Sequence, residues 1–178
     1  MPESRLPREF PGGRLRRLHP QDLAAFQAYR AIPELGRYQG WSPMSDEEAR
    51  RFIEAVHRAP LFEPGQWVQL GIAEAVTDAL LGDIGLYLSA DGSAGEIGFT
   101  LQPAAQGRGL ATAAVREALR LFFAATDAGS VQGITDERNG PSIRLLERVG
   151  FAFVERRQVV FKDEPCTERV YTLPRPGG

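Results

Sequence analysis

Apolar residues recur at steps of three and four in several stretches of the chain, the spacing of one face of an α-helix. The clearest run lies between Leu110 and Ala125, where the apolar positions form one stripe and the charged ones face away. Another follows Ser45 and Glu48, which have the spacing of a capping box. Four helices are predicted: from Asp22 to near residue 32, from Ser45 to about residue 56, 110–125 and 141–149.

Other stretches alternate apolar and polar positions, as half-buried strands do. Short connections at 76–79 and at the Asp91-Gly92 turn favour an antiparallel meander, whereas the helix between residues 101 and 131 implies one parallel crossover. The order of elements therefore predicts an α+β, or mixed α/β, layered fold. The predicted strands are 14–18, 67–74, 80–88, 96–101, 131–135, 151–161 and 166–173.

The 178 residues suit a single domain spanning 1–178, in which the proline-interrupted residues 1–12 are expected to form a loose lead-in. A net charge of −2 argues against nucleic acid as a partner. No apolar run is long enough for a signal peptide or a membrane span, so we expect no membrane partner and a cytoplasmic location. One cysteine and two distant histidines predict neither an internal disulfide nor a metal site.

The segment from Phe99 to Thr112 carries the most chemistry. A predicted strand ends at Leu101, a turn containing Gly107 and Gly109 follows, and a long helix begins. Glycines let a ligand approach the backbone, and the first helical turn offers unpaired N–H groups at the positive end of the helix dipole. This junction predicts a site for a phosphate or pyrophosphate group.

Two blocks of sequence carry a family resemblance. Gln106-Gly-Arg-Gly109-Leu-Ala111 resembles the Q/R-x-x-G-x-G/A signature of the GNAT superfamily of acetyl-CoA-dependent N-acetyltransferases, and the segment from Asn139 to Phe151 is similar to that family's second block. Segments 96–99 and 37–41 look most like the subgroup that acetylates N-terminal alanines of ribosomal proteins. The resemblance implies a mostly antiparallel sheet of about seven strands, with a central splayed parallel pair, and about four flanking helices.

The resemblance also implies a reaction. An acetyl group would pass from acetyl-CoA to a primary amine, of a protein N-terminus or a small molecule, by direct attack in a ternary complex without metal. The pyrophosphate would meet the backbone of 106–112, and pantetheine would pair with the strand near 99–101. The implied donor-binding residues are Phe99, Thr100, Leu101, Gln106, Gly107, Arg108, Gly109, Leu110, Ala111, Thr112, Asn139 and Ser142.

The candidate catalytic residues are Ser142, which would assist the departing thiolate, and Glu96, which would accept the amine proton directly or through water. Each has an alternative: Ser142 caps the helix 141–149, and Glu96 is an ordinary surface carboxylate. Family members often carry a tyrosine four residues beyond Ser142, where this chain has Leu146. That departure keeps open a second function, a non-catalytic acyl-CoA-binding or regulatory module.

Tyr38 and Trp41 lie in the loop between the first two predicted helices and are candidates for the wall of an acceptor pocket, although aromatic residues there can also serve packing. The sequence does not identify the amine. The C-terminal strands offer an edge for a second copy, and the chain is expected to be a monomer or a homodimer.

Overall fold

The structure is a computed structural model that describes residues 5–177. Its elements follow one another from Arg8 to Pro174 with short connections. The strands are β1 (Arg8–Phe10), β2 (Gly13–Arg17), β3 (Trp67–Glu74), β4 (Leu80–Leu88), β5 (Ala94–Leu101), β6 (Ser130–Asp136), β7 (Ala152–Phe161) and β8 (Glu164–Pro174). The helices are α1 (Leu23–Arg30), α2 (Pro33–Gly36), α3 (Asp46–Arg58), α4 (Leu110–Ala125) and α5 (Gly140–Val149), with single 3₁₀ turns at Pro20–Asp22 and Pro103–Ala105.

All eight strands form one sheet in the order β1-β2-β3-β4-β5-β6-β8-β7. Every neighbouring pair is antiparallel except β5 and β6, which run parallel because α4 carries the chain back across the sheet. This is the layered mixed α/β architecture predicted from the sequence, including its central parallel pair.

Helices cover both faces of the sheet. Asp83 of β4 contacts α1, whereas its neighbour Ile84 belongs to the apolar core shared with α4 and α5. Since neighbouring side chains of a strand point to opposite faces, α1 and α3 lie on one face and α4 and α5 on the other. The larger core, under α4, contains Ile84, Leu86, Ile97, Val115 and Phe122.

The sequence predicted the bounds of the central elements more accurately than it predicted the elements near the N-terminus. The observed bounds of β3, β4 and α4 equal the predicted ones. Two counts were too low, because the described residues form eight strands and five α-helices instead of about seven and about four. The extra helix is the short α2, which lies in the predicted loop between the first two predicted helices.

The extra strand, β1, corrects part of the predicted lead-in. Residues 1–4 lie outside the described part of the chain, but Arg8–Phe10 pairs with β2 instead of being loose. Phe10 is buried in the core, and the Arg8 side chain forms an ion pair with Glu117 on α4 at 2.6 Å. A three-residue strand is too short to show an alternating pattern, so only its tertiary contacts reveal it.

Candidate functional site

The parallel strands β5 and β6 separate at their carboxyl ends. Their pairing begins at Ala94 and Ser130 and stops at Ile97 and Gly133, although β5 continues to Leu101 and β6 to Asp136. Helix α5 is packed closely beside the point of separation, since a Cβ atom on Gly133 would lie 2.6 Å from Leu146. The result is a gap in the middle of the sheet.

Two glutamine side chains donate hydrogen bonds to backbone carbonyls of β5 along this gap. The Gln102 N–H donates to the Leu81 carbonyl of β4. Since successive peptide groups of a strand point to opposite sides, Phe99 and Leu101 direct theirs away from β4, toward β6. The Phe99 carbonyl accepts from Gln39 Nε2 at 3.1 Å, and the Leu101 carbonyl accepts from Gln106 Nε2 at 2.9 Å. These bonds satisfy carbonyls that would otherwise need a neighbouring strand.

The glycine turn leads directly into the N-terminus of α4. Gly107 and Gly109 have φ of +80° and +75°, in the left-handed region that favours glycine. No other atom lies within 4 Å of a Cβ atom built on either residue. Gly109 is the N-cap of α4, and no side chain of the described residues caps the helix there. The first-turn N–H groups are therefore available to a ligand.

A cavity of about 640 Å³ lies against this helix end. That volume is in the range of ligand pockets. Arg138, Arg144 and Arg148 line it, against the single carboxylate of Glu34, so its wall is cationic although the whole chain is slightly acidic. Backbone N–H groups and guanidinium groups around one cavity suit a polyanionic ligand such as the pyrophosphate of CoA.

A narrow slit of about 30 Å³ adjoins the cavity at the separation of the two strands. It is lined by residues of both strands, of α5 and of the loop after α2. The cavity and the slit share Tyr38, Gln39, Phe99, Asn139 and Ser142. A long ligand in the cavity can therefore place a small terminal group between β5 and β6.

Most of the residues predicted for the site meet at these two spaces. The cavity wall contains the strand end, the glycine turn and the first helical turn. From the predicted set it includes Tyr38, Phe99, Thr100, Leu101, Gln106, Gly107, Gly109, Leu110, Ala111, Thr112, Asn139 and Ser142.

Ser142 does not cap α5. Asn139 is the N-cap residue, and its Oδ1 accepts a hydrogen bond from the Ser142 backbone N–H at 3.3 Å. The structure shows no partner among residues 5–177 for the Ser142 hydroxyl. The alternative role considered for Ser142 thus belongs to Asn139, and the serine hydroxyl is available at the slit.

Glu96, Trp41 and Arg108 do not line the cavity or the slit. The Arg108 guanidinium is exposed and donates to the Ala104 carbonyl at 3.1 Å, beside the turn instead of over it. Trp41 lies behind the wall, where its Nε1 donates to Thr100 Oγ1 at 3.2 Å and its ring lies 4.3 Å from the Arg30 guanidinium.

Glu96 lies on the sheet face opposite α4, beside Tyr87 and Gln132 on the adjacent strands. Burial raises the pKa of Glu96, nearby Glu168 raises it further, and hydrogen bonding to Gln132 and the charge of Arg157 partly oppose the shift. Gly98, two residues along β5, lines the slit. Two residues of a strand span about 7 Å, so a proton would reach Glu96 from the slit through water.

Sequence reasoning missed several residues of the cavity wall. Arg144 and Arg148 are four apart on one helix, a spacing that places both on one face and could have indicated their shared role. Gln39 gave no such signal, because its contact with Phe99 joins residues 60 positions apart. The other residues missed are Glu34, Leu35, Arg138, Pro141 and Leu145.

Within the described residues, no cluster of three or more His, Cys, Asp and Glu side chains could hold a metal ion. No helix in that part of the chain is long and apolar enough to cross a membrane.

Comparisons with known proteins agree with this geometry. Residues 14–152 match the family model of the GNAT acetyltransferase domain. An uncharacterised N-acetyltransferase, p20, from Bacillus licheniformis is 27% identical over 139 residues, which are 77% of each chain.

Solved structures share the fold at low identity. A GNAT-family acetyltransferase from Bacillus anthracis superimposes with a TM-score of 0.84 at 17% identity, covering 96% of this chain and 99% of the other. RimL, a ribosomal-protein α-N-acetyltransferase solved in complex with coenzyme A, gives a TM-score of 0.80 at 15% identity, covering 96% and 100%. Since the family model spans most of the chain, the protein belongs to the GNAT acetyltransferase family and is an acyltransferase.

Proposed function

We propose that the protein transfers the acetyl group of acetyl-CoA to a primary amine by direct attack in a ternary complex. The observation that carries this proposal is the uncapped N-terminus of α4, with two glycines in the left-handed conformation, facing a cationic cavity that adjoins a slit between parallel strands. The bound thioester supplies an activated acyl group and a thiolate leaving group.

The chain holds the donor mainly through its backbone. First-turn N–H groups of α4 and the guanidinium groups of Arg144 and Arg148 meet the phosphates. Peptide groups of β5 that face the gap offer hydrogen bonds to pantetheine amides, and the Gln39 amide can move aside because it lies on a loop. Arg108 binds phosphate only after its side chain turns away from the Ala104 carbonyl.

Two side chains of the chain assist the reaction in this proposal. Ser142 offers an unpartnered hydroxyl to the sulfur at the slit. Glu96 takes the amine proton through water, and its raised pKa brings the carboxylate closer to the pH at which an amine loses its proton. Holding the reactants in one slit supplies the orientation that direct transfer needs.

The acceptor is proposed to be a protein N-terminus or a small amine that enters on the sheet face carrying Glu96. Tyr38 forms part of its wall, and Trp41 supports that wall from behind. The RimL likeness makes a peptide N-terminus the first acceptor to test. The cytoplasmic location and the monomeric or homodimeric state stay predictions.

Calorimetry with CoA and a free-thiol assay with acetyl-CoA test the proposal. The amines are a peptide with a free N-terminal alanine, one with a free N-terminal serine, and spermidine; the N-acetylated peptides are matched controls. We expect CoA binding, and thiol release with at least one free amine but not with the blocked peptides. Absence of CoA binding, or binding of CoA and every amine without thiol release, would contradict the proposal.

A further inference from the structure

Three residues that line the slit, Tyr38, Thr135 and Ser142, carry a hydroxyl group with no hydrogen-bond partner among residues 5–177. Of these, Tyr38 and Ser142 line both the slit and the larger cavity. Among residues 5–177 the structure shows ring contacts for Tyr38 but no hydrogen bond to its hydroxyl. A half-buried tyrosine whose hydroxyl has no protein partner is free to donate to a ligand.

The loop that carries Tyr38 is fastened on both sides. Trp41 donates to Thr100 on β5, a bond that is kept when the Gln39 amide moves aside for pantetheine. From the turn between β7 and β8, Lys162 Nζ donates to the carbonyls of Gly36 at 2.6 Å and Trp41 at 2.9 Å. Bonds to residues before and after Tyr38 fix the backbone position of this tyrosine beside the slit.

No other side chain of the slit is as well suited to protonate a thiolate. Leu146 is 1% exposed, packs on Gly133 and carries no proton to donate. A phenol ordinarily has a pKa of about 10 and a thiol one of about 8.5, so a proton passes between them at low cost. The serine and threonine hydroxyls and the amides of the slit are far weaker acids and can only hydrogen-bond to sulfur.

Positive charge surrounds the Tyr38 ring. The guanidinium carbons of Arg37 and Arg138 lie 5.0 and 5.4 Å from its centroid. Arg138 forms an ion pair with Asp136 at 2.8 Å, whereas Arg37 is exposed. The two cation–π contacts help to orient the Tyr38 ring beside the slit.

We propose that Tyr38 is a catalytic residue that donates its phenolic proton to the sulfur leaving group. This inference rests on the acetyl-CoA-dependent reaction proposed above. The amine nitrogen forms a bond to the acetyl carbon, the carbon–sulfur bond breaks, and its electron pair goes to sulfur. Sulfur takes the proton of Tyr38, and the phenolate is restored through solvent by the proton that the amine loses.

The test measures the pKa of the CoA thiol while CoA is bound, from the ultraviolet absorbance of the thiolate, and needs no acceptor. A hydrogen bond from Tyr38 stabilises the thiolate and lowers this pKa. Because such a bond to a charged group is worth about 1.5–3 kcal/mol, Tyr38→Phe should raise the pKa by about one to two units. Tyr87→Phe is the matched control, since Tyr87 lines neither space and its hydroxyl has no partner among the described residues.

The outcomes separate the two proposals. A raised thiol pKa in Tyr38→Phe, at unchanged CoA affinity and with Tyr87→Phe like the wild type, supports the role of Tyr38. Bound CoA with the same thiol pKa in Tyr38→Phe and the wild type would overturn that role alone. Failure of the wild type to bind CoA would overturn both. With a peptide that is acetylated, a lower kcat of Tyr38→Phe at constant acceptor KM supports proton donation. A higher KM with unchanged kcat would show that Tyr38 only contacts the acceptor.

Discussion

Glu96 is a carboxylate that folding places in an unfavourable environment. Its raised pKa means that the folded state binds the proton more tightly than the unfolded state does. The contribution of Glu96 to stability is therefore most favourable below the ordinary glutamate pKa of about 4.3 and is lost as pH rises through the higher pKa of the folded state. Such an arrangement is common where a side chain is kept for chemistry.

Glu96→Gln should therefore stabilise the fold at neutral pH while it slows acetyl transfer. We expect a higher melting temperature than the wild type at pH 7, and a difference that shrinks toward zero near pH 4, measured by thermal unfolding across that range. Glu63→Gln is the control, because Glu63 is an exposed carboxylate outside the sheet. Equal melting temperatures at pH 7 for Glu96→Gln and the wild type would contradict the assigned burial cost.

Gly109 can be tested against another glycine with the same backbone. Gly109 and Gly92 have φ of +75° and +74°, and a Cβ atom on either meets nothing within 4 Å. Asparagine tolerates this conformation, so both Gly→Asn variants should fold with similar small losses of stability. At Gly109 the new side chain would enter the proposed phosphate site, and CoA affinity should fall at least about tenfold, or ~1.4 kcal/mol.

Calorimetry with CoA on both variants checks this expectation. Gly92 lies in the turn between β4 and β5 and lines neither the cavity nor the slit, so Gly92→Asn should bind CoA like the wild type. If Gly109→Asn also kept its affinity, the phosphates would lie elsewhere.

At the scale of elements, Asn139 has two positions at once: it caps the N-terminus of α5, and it lines the cavity. Loss of an N-cap side chain costs about 1 kcal/mol, and Asn139→Ala should show that loss in urea unfolding. Asn139→Asp keeps a capping oxygen and should retain the stability. Asn139 lines the cavity proposed for CoA, so the added negative charge should make this variant bind the polyanionic CoA more weakly than the wild type does.

The two variants together separate the structural and ligand roles of Asn139. Full stability in Asn139→Ala would show that the cap contributes little. Unchanged CoA affinity in Asn139→Asp would place the phosphates away from the start of α5.

The elements also show how far the sequence could lead. The stripe of α4 and the runs of β3 and β4 follow from spacing alone, because burial imposes a period on each element. The glycine turn was recognisable for a similar reason, since its conformation needs glycine at given positions. Local physical chemistry therefore predicted the glycine turn and the start of α4 that line the cavity.

Contacts between distant segments could not be predicted in this way. Which face of β5 carries Glu96 relative to the slit depends on strand register and on where the strands separate. The positions of Tyr38 and Trp41 depend on hydrogen bonds such as that of Gln39 to Phe99, across 60 positions. No pattern in the sequence records such a bond, so the arrangement of these residues emerged only from the structure.

At the scale of the whole molecule, Lys162 joins the β7–β8 turn to the loop after α2. Its amine bonds to the carbonyls of Gly36 and Trp41, 126 and 121 positions away in the chain. It is the only lysine in the sequence. Partial burial lowers the pKa of this amine, which is consistent with its place between two parts of the fold. The turn thus reaches across the molecule and holds the loop that carries Tyr38.

Lys162→Met should release this loop without unfolding the sheet, since methionine retains apolar contacts but donates no hydrogen bond. We expect faster amide hydrogen exchange in 36–41 and in 159–165, a partial rise of the bound CoA thiol pKa, and CoA affinity close to that of the wild type. Arg156→Met is the matched control, because Arg156 lies on the same hairpin but pairs with Glu137 instead of the loop. If the two variants showed the same exchange in 36–41, Lys162 would not fasten that loop, and the bond of Trp41 to Thr100 would have to hold Tyr38 beside the slit.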